Sequence, residues 1–75
     1  MLQRYMYFPV EKNAEGRIYQ TIDMSTVIKA ISSDKEIILE TDKSVYYCQY
    51  RGIITTMLIY NKVVKLMNKW SNVNK

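Results

Sequence analysis

From Ile53 to Trp70 the chain reads I-I-T-T-M-L-I-Y-N-K-V-V-K-L-M-N-K-W, with apolar residues recurring at helical spacing. Ile53, Met57, Tyr60, Val64 and Met67 follow one another at intervals of 4, 3, 4 and 3. Ile59, Val63, Leu66 and Trp70 make a second seam spaced 4, 3 and 4. Together the two seams fill about half of a helical wheel, whereas a helix lying on one small sheet needs a stripe of only about 100°. Asn61, Lys62, Lys65, Asn68 and Lys69 take most of the remainder. The surplus predicts that one seam packs on the chain's own sheet. The other, assigned here to Ile59, Val63, Leu66 and Trp70, meets a symmetry mate or a partner protein.

Ahead of the helix the pattern has the two-residue period of strands. Residues 2–10 are aromatic-rich and suit a strand, and Pro9, which cannot donate to a ladder, places it at an edge or ends it nearby. A polar loop, Glu11 to Gly16, leads to Arg17–Ile22, where Ile18, Gln20 and Ile22 alternate with Arg17, Tyr19 and Thr21. Asp23 to Ser32 fits two descriptions. Asp23 can cap a helix with Met24, Val27, Ile28 and Ile31 on one face, or a single turn can lead into a strand at Val27–Ile31. Glu36–Thr41 and Val45–Arg51 flank Asp42-Lys43-Ser44 as a hairpin, with Ile37 and Leu39 facing in. On the second arm Tyr46, Cys48 and Tyr50 share one face, and Gly52 separates this arm from the helix. The expected architecture is α+β, a small antiparallel sheet of four to five strands with one long C-terminal helix packed on a face. Residues 1–75 form one domain, with 71–75 a frayed tail.

Seventy-five residues lie near the lower limit for a chain that folds without staples, so self-association would help it. With one cysteine and no histidine, neither a disulfide nor a common zinc site fits within the chain. No apolar run approaches the ~18 residues of a membrane span, and the N-terminus has no signal-peptide core. A cytoplasmic protein without membrane contact, cofactor or metal is expected. The net charge of +4 is unevenly spread: residues 43–75 hold six basic residues and no acid, while residues 1–42 hold all seven acids. A one-signed segment attracts polyanions, although lysines also suit a helix C-terminus.

The succession F-P-V-E-K, R-I-Y-Q-T-I-D-M-S-T-V-I-K-A-I-S-S and E-I-I-L-E-T-D-K-S-V-Y-Y-C, then a helix from Ile53, resembles the front half of a LytTR-type DNA-binding domain over residues 8–58. The resemblance implies a strand at Val27–Ile31 after a helical turn. It also puts Ser32, Ser33, Asp34 and Lys35 in the place of a DNA-contacting loop, where Asp34 opposes a phosphate. The strands that supply further DNA contacts in that family have no counterpart after this helix.

The residues do not point to an enzyme. There is no phosphate-binding glycine loop and no nucleophile elbow, and Cys48 lies mid-strand among aromatics as a small hydrophobe. Two binding functions are expected instead. One is a nucleic-acid-binding regulator of transcription using Lys62, Lys65, Lys69, Arg51, Lys43, Lys35 and Ser33, each lysine or arginine on a phosphate adding counterion release. The other is a homodimeric protein-interaction module, a small inhibitor or adaptor, using the apolar seam or a tyrosine-rich sheet face. The Lys, Asn, Ile and Tyr bias suits an AT-rich genome, such as that of a low-GC bacterium or its phage.

Overall fold

The computed structural model describes residues 2–11 and 17–73. Strands Tyr5–Glu11 (β1), Arg17–Asp23 (β2), Val27–Ser33 (β3), Glu36–Thr41 (β4) and Val45–Gln49 (β5) form one antiparallel sheet in the order β2-β1-β5-β4-β3. A helix of 21 residues, Ile53–Val73 (α1), packs on one face. The architecture is the α+β arrangement that the hydrophobic pattern predicts. The loop expected over Glu11–Gly16 lies outside the described residues from Lys12 onward, and Glu11 itself closes β1.

Strand alternation decides which side chains meet α1. Met6 and Phe8 of β1, Ile22 of β2, Ile37 and Leu39 of β4 and Cys48 of β5 are all buried, and the pairings Met6↔Ile22 and Ile37↔Cys48 carry one face across the sheet. Val63 and Leu66 of α1 close this core from below, with Ile59, Tyr60, Met67 and Trp70 packed around it.

Of the two alternatives that Pro9 offered, an edge position or a nearby end, the first does not hold, since β1 lies between β2 and β5. The second does, since β1 closes at Glu11. The bond from Met24 N to Arg4 O, at 2.6 Å, sets the phase of the β1–β2 ladder. In that phase Met6, Phe8 and Val10 exchange bonds with β2, and the backbone of Pro9 turns toward β5. There the pairing is reduced to a single bridge, Val10↔Cys48. The proline is tolerated in the middle of the sheet because its nitrogen falls in the sheet's weakest seam.

The ambiguous stretch resolves as a turn followed by a strand. Met24–Thr26 is one 3-10 turn, and β3 starts at Val27. Asp23 caps the turn, its carboxylate accepting from Ser25 N at 3.0 Å and Ser25 Oγ at 2.7 Å. Arg4 Nε donates to both Asp23 oxygens at 3.2 and 3.0 Å, tying the N-terminal segment to the cap. Partial burial opposes ionisation of Asp23, but the Ser25 and Arg4 hydrogen bonds together outweigh it and hold the carboxyl below its usual range. A folded-state value below the unfolded one stabilises the fold above about pH 4, and this contribution is lost as pH falls through the folded value. Asp23→Ala should therefore lower the urea midpoint at pH 6 while the difference from the native chain shrinks toward pH 3. An equal gap at both pH values would contradict this role.

Both hairpins turn tightly. Ser33↔Glu36 closes β3–β4 over Asp34 and Lys35, with Asp34 at φ 47, a region that Asp enters more readily than most residues. Thr41 organises the β4–β5 turn, its Oγ1 accepting from Ser44 N at 3.0 Å.

α1 starts where Gly52 O accepts both Thr56 N and Thr56 Oγ1, at 3.1 and 2.7 Å. It continues to Val73, so Ser71, Asn72 and Val73 are helical rather than a frayed tail. Twenty-one helical residues span roughly 31 Å, whereas the seven residues of β3 span roughly 23 Å. The helix therefore outruns its strand. Its C-terminal half reaches the 3-10 turn and the N-terminal segment, where Trp70 Nε1 donates to Gln3 O at 2.9 Å.

Candidate functional site

The two helix seams have exchanged roles relative to the sequence expectation. Ile59, Val63, Leu66 and Trp70, assigned to a partner, are the seam that meets the protein's own sheet: Val63 is fully buried and Leu66 nearly so. The other seam runs beside the open edge of β3, where Tyr60 OH donates to Ala30 O at 3.3 Å. Its first members, Ile53 and Met57, are 52% and 56% exposed, while Tyr60, Val64 and Met67 are half-buried. Both seams have the same periodicity. The one carrying Val63 and Leu66 is buried in the core, with Ile59 and Trp70 packed against it.

The basic residues are divided among three places. Lys62, Lys65 and Lys69 are exposed along the outward side of α1, together with Asn61 and Asn68. Lys35 and Arg51 are exposed at one end of the sheet, brought near each other by the bond from Tyr50 N to Lys35 O at 2.7 Å. Ser33 is exposed at this end too, but its cross-strand neighbour is Glu36. Lys43 belongs to the β4–β5 turn at the opposite end. It helps line a cavity of about 280 Å³ whose wall also carries Asp23 and Asp42. Two carboxylates there oppose a polyanion. The seven residues grouped from the sequence therefore do not form one electropositive surface; the three helix lysines are the contiguous part.

The sheet face away from α1 has a different chemistry. Alternation and register put Tyr5 and Tyr7 of β1, Tyr19 of β2 and Tyr47 of β5 on this face, and they are 56%, 74%, 72% and 54% exposed. Ile31, Ile38 and Tyr47 form one row across β3, β4 and β5. Charged residues of both signs lie among them. Lys29 lies opposite Glu40, the neutral amide Nε2 of Gln49 donates to Glu36 Oε2, and Arg4 pairs with Asp23 while lying 5.6 Å from the Tyr5 ring centroid. Its sequence signal was the odd-numbered spacing of Tyr5, Tyr7 and Tyr19, readable only once the strand phases are known.

Cys48 is fully buried between Ile37 and Val10 across the sheet. Desolvation, with the Glu36 carboxylate adding to it, pushes the thiol up to about 12. That environment suits packing and opposes thiolate chemistry. Among the described residues no helix is long and apolar enough to cross a membrane. No protein-family model, curated protein sequence or solved structure matches this chain.

Proposed function

We propose that this protein is a small non-enzymatic binding module that acts on a protein partner through the open tyrosine face of its sheet. The observation that carries this reading is that Tyr5, Tyr7, Tyr19 and Tyr47 are all more than half exposed on one side of a five-stranded sheet. Tyrosine supplies a large, rigid contact area with a hydrogen-bonding tip at low entropic cost, which is why interfaces are enriched in it. Glu36 and Glu40 on the same sheet oppose a polyanion there. A module of this kind regulates by occupancy, as an inhibitor or adaptor does.

The test is affinity capture with the native chain and with the Tyr7→Ser/Tyr19→Ser double variant as baits. Both side chains are largely solvated, so the variant should keep its fold and its urea midpoint. Proteins retained by the native chain should be lost or cut by roughly tenfold or more with the variant, since central aromatic anchors dominate binding energies. Identical retention by both baits would rule this face out.

A second reading rests on Lys62, Lys65 and Lys69, which share the outward side of α1 with no acid in the helix. It makes the protein a nucleic-acid-binding regulator, the function expected from the LytTR-type resemblance. Three phosphate contacts give a salt exponent of roughly −3, so duplex affinity should fall about 40-fold between 50 and 200 mM salt. A fluorescence anisotropy titration at the two salt concentrations, repeated with all three lysines changed to glutamate, separates this reading from the first.

A further inference from the structure

β3 is an edge strand, and its hydrogen-bonding phase is set by its neighbours. Thr41 N donates to Ser44 O at 2.8 Å and Tyr50 N to Lys35 O at 2.7 Å, so the odd-numbered residues of β4 bond toward β5. Glu36, Ile38 and Glu40 then bond toward β3, where their partners are Ser33, Ile31 and Lys29. The backbone groups of Ala30 and Ser32 therefore point out of the sheet. A register shift between Val27 and Lys29 confines any added pairing to Lys29–Ser33.

Beside this edge runs a helix flank that the sheet covers only in part: Ile53 and Met57 are exposed, while Tyr60, Val64 and Met67 are half-buried. The flank carries no charge, because Lys62, Lys65 and Lys69 lie on the outward and opposite sides of α1. A groove of about 600 Å³ continues it past Val27, Ile28 and Trp70. The edge is partly capped, since Tyr60 OH donates to Ala30 O at 3.3 Å. Among the described residues Ala30 N–H and the backbone groups of Ser32 have no partner, and a carbonyl such as Ala30 O can accept a second bond.

We infer that β3 and this helix flank form the two-fold interface of a homodimer. The two copies of β3 pair antiparallel about Ile31, so that Ala30 of each bonds Ser32 of the other and both outward-pointing residues are satisfied. Ile31, 44% exposed in the single chain, then meets its own copy on the outer face. The two α1 helices lie antiparallel beneath, with Met57, Tyr60 and Val64 facing each other across the axis. Paired strands lie about 4.8 Å apart and packed helices about 8–10 Å. α1 lies mainly under β3 and the 3-10 turn and reaches β4 as well. Lys62, Lys65 and Lys69 of α1 face away from the axis, and Lys29 of β3 falls opposite Ser33 of the other copy rather than opposite its own copy, with Glu40 beside it on β4. A small stable interface needs roughly 600–800 Å² from each copy, which an edge strand and a four-turn helix flank can supply together. The ten-stranded sheet that results displays two tyrosine faces side by side. This interface leaves those tyrosines free, so it stands or falls separately from the partner-binding reading.

Sedimentation equilibrium of the full chain is expected to give twice the 8.9 kDa monomer mass. Ser32→Pro removes an outward N–H without touching the β3–β4 ladder, an edge position where proline is tolerated. It should stay folded by circular dichroism and raise the dimer dissociation constant by roughly tenfold or more, as the loss of backbone bonds on both sides of the axis implies. Ile31→Cys should cross-link to its own copy on mild oxidation, because residues facing each other in a non-bonded antiparallel pair lie about 4.5 Å apart at Cα, within disulfide range. Tyr7→Cys, equally exposed but far from the axis, should not. A monomer at all concentrations overturns the inference. A dimer in which Tyr7→Cys cross-links and Ile31→Cys does not overturns it as well.

Discussion

Val63→Lys is expected to leave the protein largely unfolded at neutral pH, while Ile54→Lys, nine residues earlier on the same helix, folds normally. Val63 has no exposed surface and lies where the helix meets the core of the sheet. A lysine there must bury an ammonium among apolar side chains with no acid to meet it, or deprotonate, or open the helix–sheet contact. Each route costs several kcal/mol. A chain of this length has a total stability of roughly 4–11 kcal/mol, so one substitution removes most of it. Ile54 is 74% exposed on the outward side, and its replacement should change stability by no more than about 0.5 kcal/mol. Urea titration followed by Trp70 fluorescence reads both variants. The reverse outcome, a stable Val63→Lys chain and a disrupted Ile54→Lys chain, would mean that the helix presents its other side to the sheet.

The second large effect concerns Cys48. At pH 8 a free thiol near its ordinary value is about one-quarter thiolate. Burial that moves it to about 12 leaves on the order of one part in ten thousand. Access is closed as well, since the residue is fully buried mid-sheet. A thiol reagent should therefore label native Cys48 only when the sheet opens, at least about a thousandfold more slowly than it labels the chain in 6 M guanidinium. Rapid labelling of the folded protein would contradict this packing of β5. It would also reopen the possibility of cysteine chemistry that the sequence argued against.

Much of the fold could be read from side-chain period. Ile37 and Leu39 were correctly turned inward and Glu36 and Glu40 outward, because a half-buried strand has only two faces and the acids cannot share the apolar one. The Asp42–Ser44 turn was legible for the same kind of local reason, since Asp and Ser satisfy turn backbones that Ile and Leu cannot. The loop expected over Ser32–Lys35 shrinks to Asp34 and Lys35, because Ser32 and Ser33 pair with Ile37 and Glu36 as the end of β3. Pro9 left two alternatives open because its rule concerns hydrogen bonds, and which side of β1 needed a donor depended on the phase of a ladder with β2. The extent of α1 was underestimated at Ser71–Val73, where polar composition suggested fraying and docking of the helix end near Gln3 sustains the last turn. The candidate binding residues were the least legible. Lys35 and Arg51 are sixteen positions apart in sequence and share one end of the sheet, whereas Lys43, eight positions from either, is at the other end.

On its own, the order of residues determined the α+β class, the long C-terminal helix with its excess of apolar surface and the inward face of Ile37 and Leu39. The strand count stayed at four to five, and Asp23 to Ser32 stayed open between helix and strand. The properties it determined follow from local periodicity and from the cost of burying charge, which act wherever the chain goes. Tertiary structure alone decided which seam of α1 was consumed by the fold and which was left beside β3. It also decided that four tyrosines from three strands share one open face and that the basic residues are split among three places. Such facts depend on strand order and register. Two seams with the same spacing and similar hydrophobicity are equivalent until a particular cavity accepts the side chains of one and leaves the other uncovered.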